Sequence, residues 1–392
     1  MHLSREEERI YQGDEGESLR RAMEILVALG DIFGAERLIP IRSVQIAGVS
    51  FKNIGEAGLE WISEMEGKVA VKSVLNPAGM DLLRWKEMGI SEEFASRQLA
   101  VVEAYRKLGI STDCTCTPYN IHPDMARRGD HLAWSESSAV AYANSVIGAR
   151  TNREGGPSAL AAALIGKTPY YGYHLDENRA PTLGVNVECD LAGSDYGALG
   201  HIVGKVVGGG VPQFHLAGRP TQEELKALGA AMAASGSVAL FYVEGSGPEP
   251  FAETLAKDAK EWMAVDRREI DELYAANPGD DSDLVALGCP HCSRHELEGL
   301  ARLLDGQSVE RELWICTARR IAQDCPDLVD RIERSGAKVI CDTCMVVSPA
   351  SERYRKIMVN SGKALNYIPG LCGVKAAFGS TEECIRVATG RN

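Results

Sequence analysis

Residues 114–160 read CTCTPYNIHPDMARRGDHLAWSESSAVAYANSVIGARTNREGGPSAL, and the rest of the chain is read outward from them. Polar side chains interrupt every possible apolar face of this stretch. Ser135-Glu136-Ser137-Ser138 sets hydroxyls against a carboxylate, close in sequence to Cys114 and Cys116. Polar groups at that density destabilise a folded chain unless they are hydrogen-bonded or meet a ligand. The stretch therefore reads as the wall of a polar site, with its flanks as support.

Upstream, residues 4–34 pattern as helices broken near Gly13 and Gly16, with Leu19, Ala22, Met23, Ile25, Leu26 and Leu29 at amphipathic spacing. A strand over 37–47 ends in the turn Ala47-Gly48-Val49-Ser50, and a second over 68–74 runs into Asn76-Pro77-Ala78-Gly79. A helix over 92–108 leads to the strand-like 110–114, which delivers the polar stretch. Helices over 137–149 and 157–165 are rich in Ala and Ser, which permits close packing. A strand over 182–189 and a helix over 196–207 with little charge follow.

Beyond Gly208-Gly209-Gly210, helices at 221–234, 251–258, 294–304 and 327–335 alternate with strands at 238–243, 284–287, 312–317 and 338–340. Regular β-α alternation predicts an α/β fold with mainly parallel sheets and helices on their faces. The triple glycine suggests a boundary, giving domains 1–208 and 209–392. In such folds ligands gather at the carboxyl ends of the strands.

The 392 residues leave room for two or three domains, and 45% hydrophobic with 25% charged residues suits a soluble globular chain. A formal charge of −13 without a long basic run argues against nucleic acid or an anionic membrane as partner. No apolar run approaches the roughly 20 residues that span a bilayer. The N-terminus MHLSREEERIYQGDEGESL lacks the apolar region of a secretion signal, so the expected compartment is the cytoplasm. Eleven cysteines there stay reduced and do not form a disulfide framework. The sequence contains no phosphate-binding P-loop, dinucleotide glycine fingerprint, HExxH or nucleophile elbow.

Three cysteine loops each follow an expected strand: Cys114-Thr-Cys116-Thr-Pro, Gly288-Cys289-Pro-His-Cys292 and Cys341-Asp-Thr-Cys344. An iron–sulfur cluster at a domain junction, a zinc site and inert packed thiols all fit this pattern. Were three thiolates to hold a cubane, one iron would stay open as a Lewis acid for a substrate hydroxyl. Cys189, Cys316, Cys325 and Cys384 read as packing, while Cys372 lies in a loop-like PGLCGVK. Among the histidines, His131, His174 and His291 sit in polar motifs. Arg150 and Arg153 of GARTNREGG suit carboxylate or phosphate recognition, or else surface ion pairs. The AGVS and NPAG turns could offer backbone N–H groups to an anion.

Together AGVS, LNPAGMD, CTPY, HLAWSESSAVAYANSVIGARTNREGGPSAL, YGYHLDENR, GCPHCS, DTCMVVSP and AFGS resemble the aconitase X family, over nearly the whole chain. The resemblance implies an aconitase-like body of several α/β modules around a central iron–sulfur site, and a hydro-lyase activity. It implies two candidate reactions. One is dehydration of (R)-5-phosphomevalonate to trans-anhydromevalonate 5-phosphate in a modified mevalonate route to isoprenoids, which the NPAG turn and the cysteine loops favour. The alternative is dehydration of cis-3-hydroxy-L-proline. A non-enzyme with structural zinc or an electron-transfer cluster is the reading from a different class.

Carried over by motif, the resemblance implies Cys116, Cys289 and Cys344 as ligands of a cluster, expected as [4Fe-4S] with one open iron. It implies substrate contacts from Gly48, Val49, Ser50, Asn76, Pro77, Glu136, Ser137 and Lys363, with Glu136 and Ser137 in the catalytic set beside Arg150 and Arg153 as anion binders. The chain ends at Asn392 soon after AFGS, so the expectation is a large subunit that needs a small swivelling-domain subunit as heterodimer partner. That partner could itself carry the proton-abstracting group.

Overall fold

Parallel strands organise the molecule. The computed structural model describes residues 1–247, 259 and 261–391; the helix expected at 251–258 lies outside them. A three-stranded sheet sets Ser43–Ile46 between Lys72–Leu75 and Ala133–Trp134. A four-stranded sheet has the order Tyr242–Val243, Pro212–His215, Leu183–Val187, Glu261–Val265. A five-stranded sheet has the order Lys338–Cys341, Glu312–Thr317, Leu284–Cys292, Lys356–Val359, Lys375–Phe378. Every pairing in these three sheets is parallel. Antiparallel pairing among the described residues is confined to the short Leu38–Pro40 against Lys167–Pro169 and an isolated bridge between Val243 and Ser246. The expected α/β class is what the chain adopts.

The helices form where the apolar spacing puts them. Glu17–Ile32 buries Ala22, Met23, Leu26 and Gly30 on one face, against the Ala-rich helix Gly156–Ile165. The helix expected at 137–149 forms as Ser137–Tyr142 followed by a wider π turn, Ala143–Ile147, which ends at Gly148. The helices Asp195–Val207 and Gln222–Gly236 make the most extensive helix–helix packing in the molecule. Glycine makes this possible, since a Cβ on Gly200 would lie 2.4 Å from the Leu228 carbonyl oxygen.

Two expectations need correction. The triple glycine at 208–210 lies inside one sheet: Leu183–Val187 before it pairs with Pro212–His215 after it, from Leu183↔Pro212 to Asn186↔His215. A boundary at 208 would cut that ladder, and the passages between sheets fall near residues 180 and 280 instead. The strand expected at 238–243 pairs only over Tyr242–Val243. Before it, the chain takes its hydrogen bonds from side chains: Asn144 Nδ2 donates to the Ala239 carbonyl at 2.9 Å, and Phe241 N–H donates to Ser145 Oγ at 2.9 Å.

One apolar core lies under the three-stranded sheet, with Val44, Ile46, Leu75, Val101 and Leu160 fully buried. Another joins the second and third sheets, packing Val185 and Phe214 with Leu284, Trp314 and Phe378. Met80 and Met88 reach into it from the first module. No described helix is long and apolar enough to cross a membrane.

The Gly200 contact yields a test. Gly200→Ala should destabilise the chain by about 1–3 kcal/mol through overpacking against backbone that cannot move aside. Gly218→Ala, where an added Cβ would meet nothing within 4 Å, should stay within about 0.5 kcal/mol. Urea denaturation midpoints of the two variants measure the difference, and equal shifts would refute the packing account.

Candidate functional site

The carboxyl ends of the parallel strands in the first and third modules deliver the polar loops. Ser43–Ile46 leads into Ala47–Ser50, Lys72–Leu75 into Asn76–Gly79, and Ala133–Trp134 into Ser135–Ser137. From the five-stranded sheet, Leu284–Cys292 ends in its own cysteine loop, and Lys338–Cys341 leads into Asp342–Cys344. Lys356–Val359 leads into the helix Gly362–Cys372, which carries Lys363 in its first turn. This is where α/β sheets place ligands.

Cys116, Cys289 and Cys344 are all buried, at 3, 5 and 6% exposure. Cys289 and Cys344 hydrogen-bond to each other, and each thiol's ionisation responds to others of the three. Burial pushes the Cys116 thiol up to about 12. In the pair, the shared hydrogen bond and then burial push Cys289 up, while the bond from Cys289 pulls Cys344 down, helped by the backbone N–H groups of Val346 and Val347. His291 N–H donates to Cys116 Sγ at 3.1 Å. Among the described residues no three His, Cys, Asp or Glu side chains are drawn close enough to hold a single metal ion. A cluster asks for something different: thiolates on separate irons, buried, with N–H donors on the sulfurs. Three converging thiols with backbone donors and a neighbouring cation fit that requirement.

The cation is Lys363, 5% exposed. Its ammonium pairs with Glu136 Oε1 and donates to Ser138 Oγ at 3.1 Å. Glu136 also accepts from Asn76 Nδ2 at 2.6 Å and from Ser137 Oγ at 3.2 Å. Burial alone would raise the Glu136 pKa, but the Lys363 charge and hydrogen bond, with Asn76 behind them, bring it to about 2. Burial would likewise lower Lys363, and Glu136, Cys289 and Cys116 instead raise it. Asn76, Glu136, Ser137 and Lys363 are thus one hydrogen-bonded group beside the thiols. The Asn76 carbonyl oxygen is buried without a partner.

Ser50 Oγ donates to the Val347 carbonyl at 3.1 Å, which joins the Gly48–Ser50 loop to the segment after Cys344. Pro77 lies between Asn76 and Ala78, whose N–H donates to the Asp342 carbonyl at 2.8 Å. A Cβ on Gly156 would stand 2.7 Å from the Ala47 carbonyl oxygen, so the Gly-Gly-Pro segment serves backbone approach to the loop at 47–50. The two arginines part company. Residues 150 and 153 both form strand-like bridges, to His131 and Trp134, and an odd spacing along extended chain points side chains to opposite faces. Arg153 reaches Tyr367 OH at 3.3 Å, on the Lys363 helix, and helps to lower Glu136. Arg150 instead pairs with Asp176 and donates to the His174 carbonyl, so its bonds lie outside this group.

His131 and His174 face each other at 3.0 Å between Nδ1 atoms on the Arg150 side. His291 lies among the cysteine loops, and burial lowers it to about 4. The Cys372 thiol donates to the Met345 and Val346 carbonyls at 3.5 and 3.4 Å.

Sequence reasoning missed the groups that hold the loops together. Gln98, fully buried, accepts from Phe51 N–H at 3.0 Å and Gly79 N–H at 2.9 Å and donates to the Val49 carbonyl at 2.8 Å. It sits on the buried face of its helix with Ala95, Val101, Val102 and Tyr105, and a polar residue on an apolar stripe was the available signal. Arg319 bridges Asp81 at 2.6 Å and Asp342 at 2.8 Å. Asp81 also accepts from Cys341 N–H at 3.0 Å. No local pattern could have paired residues so far apart.

Removing one partner of a buried ion pair leaves an uncompensated charge. Lys363→Met should therefore cost about 3–5 kcal/mol, and adding Glu136→Gln should recover much of it. Urea midpoints check this, and a double variant no more stable than the single would refute the pairing.

The family models for the first, second and third domains of aconitase X match residues 1–177, 181–275 and 282–390. The chain is 57% identical to the phosphomevalonate dehydratase large subunit of Methanosarcina mazei, covering 100% of this chain and 98% of that one. It is 33% identical to a cis-3-hydroxy-L-proline dehydratase of Hypocrea jecorina, covering 99% of this chain and 68% of the relative. The crystal structure of Thermococcus kodakaraensis aconitase X in its holo-form superposes with a TM-score of 0.92 at 45% identity, over 99% of this chain and 100% of the other. With all three domains matched in order and relatives aligned along nearly the whole of this chain, the chain belongs to the aconitase X family of hydro-lyases.

Proposed function

We propose that the chain is the large subunit of a phosphomevalonate dehydratase, removing water from (R)-5-phosphomevalonate to give trans-anhydromevalonate 5-phosphate, with a small subunit as partner. The observation that carries this reading is the likeness to large subunits of that enzyme at 57 and 52% identity over essentially the full chain, against 33% for the hydroxyproline enzymes. The substrate is a small phosphorylated hydroxy acid, and its place of action is the cytoplasm, which suits eleven unpaired cysteines.

Cys116, Cys289 and Cys344 hold a [4Fe-4S] cluster in this reading. When bound, it supplies an open iron that acts as a Lewis acid on the leaving hydroxyl. The chain's own groups do the rest. Lys363 and Arg153 present cations to the substrate's anionic ends, and the amides of Gly48, Val49 and Ser50 offer further donors beside them. Asn76 turns its unpartnered carbonyl oxygen toward the substrate, while Pro77 fixes the turn that carries it. Glu136 is held ionised by Lys363. A substrate anion that draws the ammonium away would raise the basicity of Glu136, fitting it to hold or move a proton with Ser137. The base could alternatively come from the small subunit, which would close over these loops.

Two outcomes follow. Cys116→Ser, Cys289→Ser or Cys344→Ser should lose iron and turnover, whereas Cys384→Ser, in a packed helix, should keep both. Iron and sulfide per chain after anaerobic purification with the small subunit decide it, and parental iron in Cys116→Ser would remove that ligand. Arg153→Ala should raise KM for phosphomevalonate about tenfold or more, as the loss of a charge-assisted contact of about 1.5–3 kcal/mol implies, with iron content unchanged. Efficient turnover of cis-3-hydroxy-L-proline without turnover of phosphomevalonate would overturn the substrate reading.

A further inference from the structure

His291 has a claim that its neighbours lack. It is fully buried, and every polar group it owns is spent on a cysteine loop or on what supports one. Its backbone N–H donates to Cys116 Sγ at 3.1 Å. Its ring Nδ1 meets Thr115 Oγ1 at 3.1 Å, and Nε2 meets the Thr343 carbonyl oxygen at 2.9 Å. Its own carbonyl accepts from Lys226 Nζ at 3.3 Å, and that ammonium is paired with Glu296.

Those partners come from all three family domains. Thr115 and Cys116 belong to the first, Lys226 to the second, and Thr343 to the third, which also contains His291. Thr115 adjoins Cys116, Thr343 adjoins Cys344, and His291 follows Cys289 by two positions. One imidazole thus bonds to the loops of Cys116 and Cys344 from a position on the loop of Cys289.

The ring's tautomer follows from its partners. A carbonyl oxygen only accepts, so Nε2 carries the proton that reaches Thr343. Nδ1 is then the acceptor, and the Thr115 hydroxyl donates to it. A ring that donates from Nε2 on one side and accepts at Nδ1 on the other has a fixed orientation, which is the role such outer partners play around metal centres.

We propose that His291 is the positioning residue of the cysteine site: its ring bonds to Thr115 and Thr343 hold the three thiols at the spacing an iron–sulfur cluster needs, and its N–H modulates the Cys116 sulfur. The inference rests on the reading of Cys116, Cys289 and Cys344 as cluster ligands. It goes further by assigning a role to a residue whose ring and backbone polar atoms are all engaged by protein groups. Because it acts through other residues, loss of His291 changes how firmly the cluster is held before it changes anything else.

The test uses the full chain with its small subunit, reconstituted anaerobically with iron and sulfide. His291→Phe removes both ring bonds, and Thr115→Val removes the Nδ1 bond, together with the contacts of the same hydroxyl to Thr117 N–H at 3.1 Å and Thr117 Oγ1 at 3.2 Å, while keeping the shape of the side chain. Iron and sulfide per chain, the visible absorption of the centre, and the rate of bleaching by an iron chelator are measured. The urea midpoint of the cluster-free chain is measured alongside. Bleaching at least tenfold faster in His291→Phe, and faster by a smaller factor in Thr115→Val with an unchanged urea midpoint, is the expected result. Bleaching within twofold of the parent in Thr115→Val would overturn the inference, even if His291→Phe fails to fold. A parent chain that takes up no cluster would instead overturn the ligand reading, so the two failures are distinguishable.

Discussion

Parallel strands from two separate sheets point their carboxyl ends into the same dry volume, and the whole site depends on that convergence. A thiol in such a place is held neutral by burial, and a carboxylate or an ammonium is tolerated only beside its opposite. Lys363 satisfies both demands, since one cation lies within reach of the Glu136 carboxylate and of two of the thiols. Its position in the first turn of a helix fed by the strand Lys356–Val359 is therefore an electrostatic requirement as well as a topological result. Exposed ion pairs, which are numerous here, contribute little by comparison.

The loops are kept in place by hydrogen bonds as well as by apolar packing, which takes in Val49, Ala78, Met345 and Val346. Gln98 fastens two turns of the first module to each other, and Arg319 fastens the first module to the third through Asp81 and Asp342. Each such bond is worth only about 1–3 kcal/mol when a charge takes part. What they provide is direction: a buried amide with three partners has one orientation, and so do the backbones it holds.

Much of this was legible in the sequence, and the reasons for the rest are physical. The alternation after residue 280 was plain because each strand is an apolar run stopped by a Gly, Cys or Asp turn. Pro212–His215 and Lys375–Phe378 escaped because their ends are polar and short. The glycines at 208–210 looked like a linker, yet they close a turn between a helix and a strand of one sheet; composition reports bending, not separation. Arg150 and Arg153 share a motif but not a face, because backbone alternation separates them. The three cysteine loops were visible, while the residues that bind them together were not, since their partners lie on other elements, 19 to 49 positions away for Gln98 and 238 for Arg319 and Asp81.

Those distances have a consequence for how the protein is made. Cys116 meets His291 across 175 residues, Glu136 meets Lys363 across 227, and Ser50 meets Val347 across 297. During synthesis the first module leaves the ribosome with its polar wall complete and nothing to close against. Loop closure over such spans must be completed before these contacts contribute any stability. The half-finished chain therefore exposes Cys116 and the loop around it until the last sheet has formed, while Cys114 is already packed in the core of the first module. On the ligand reading proposed above, loading with iron would follow release, when the final sheet has brought the three thiols together.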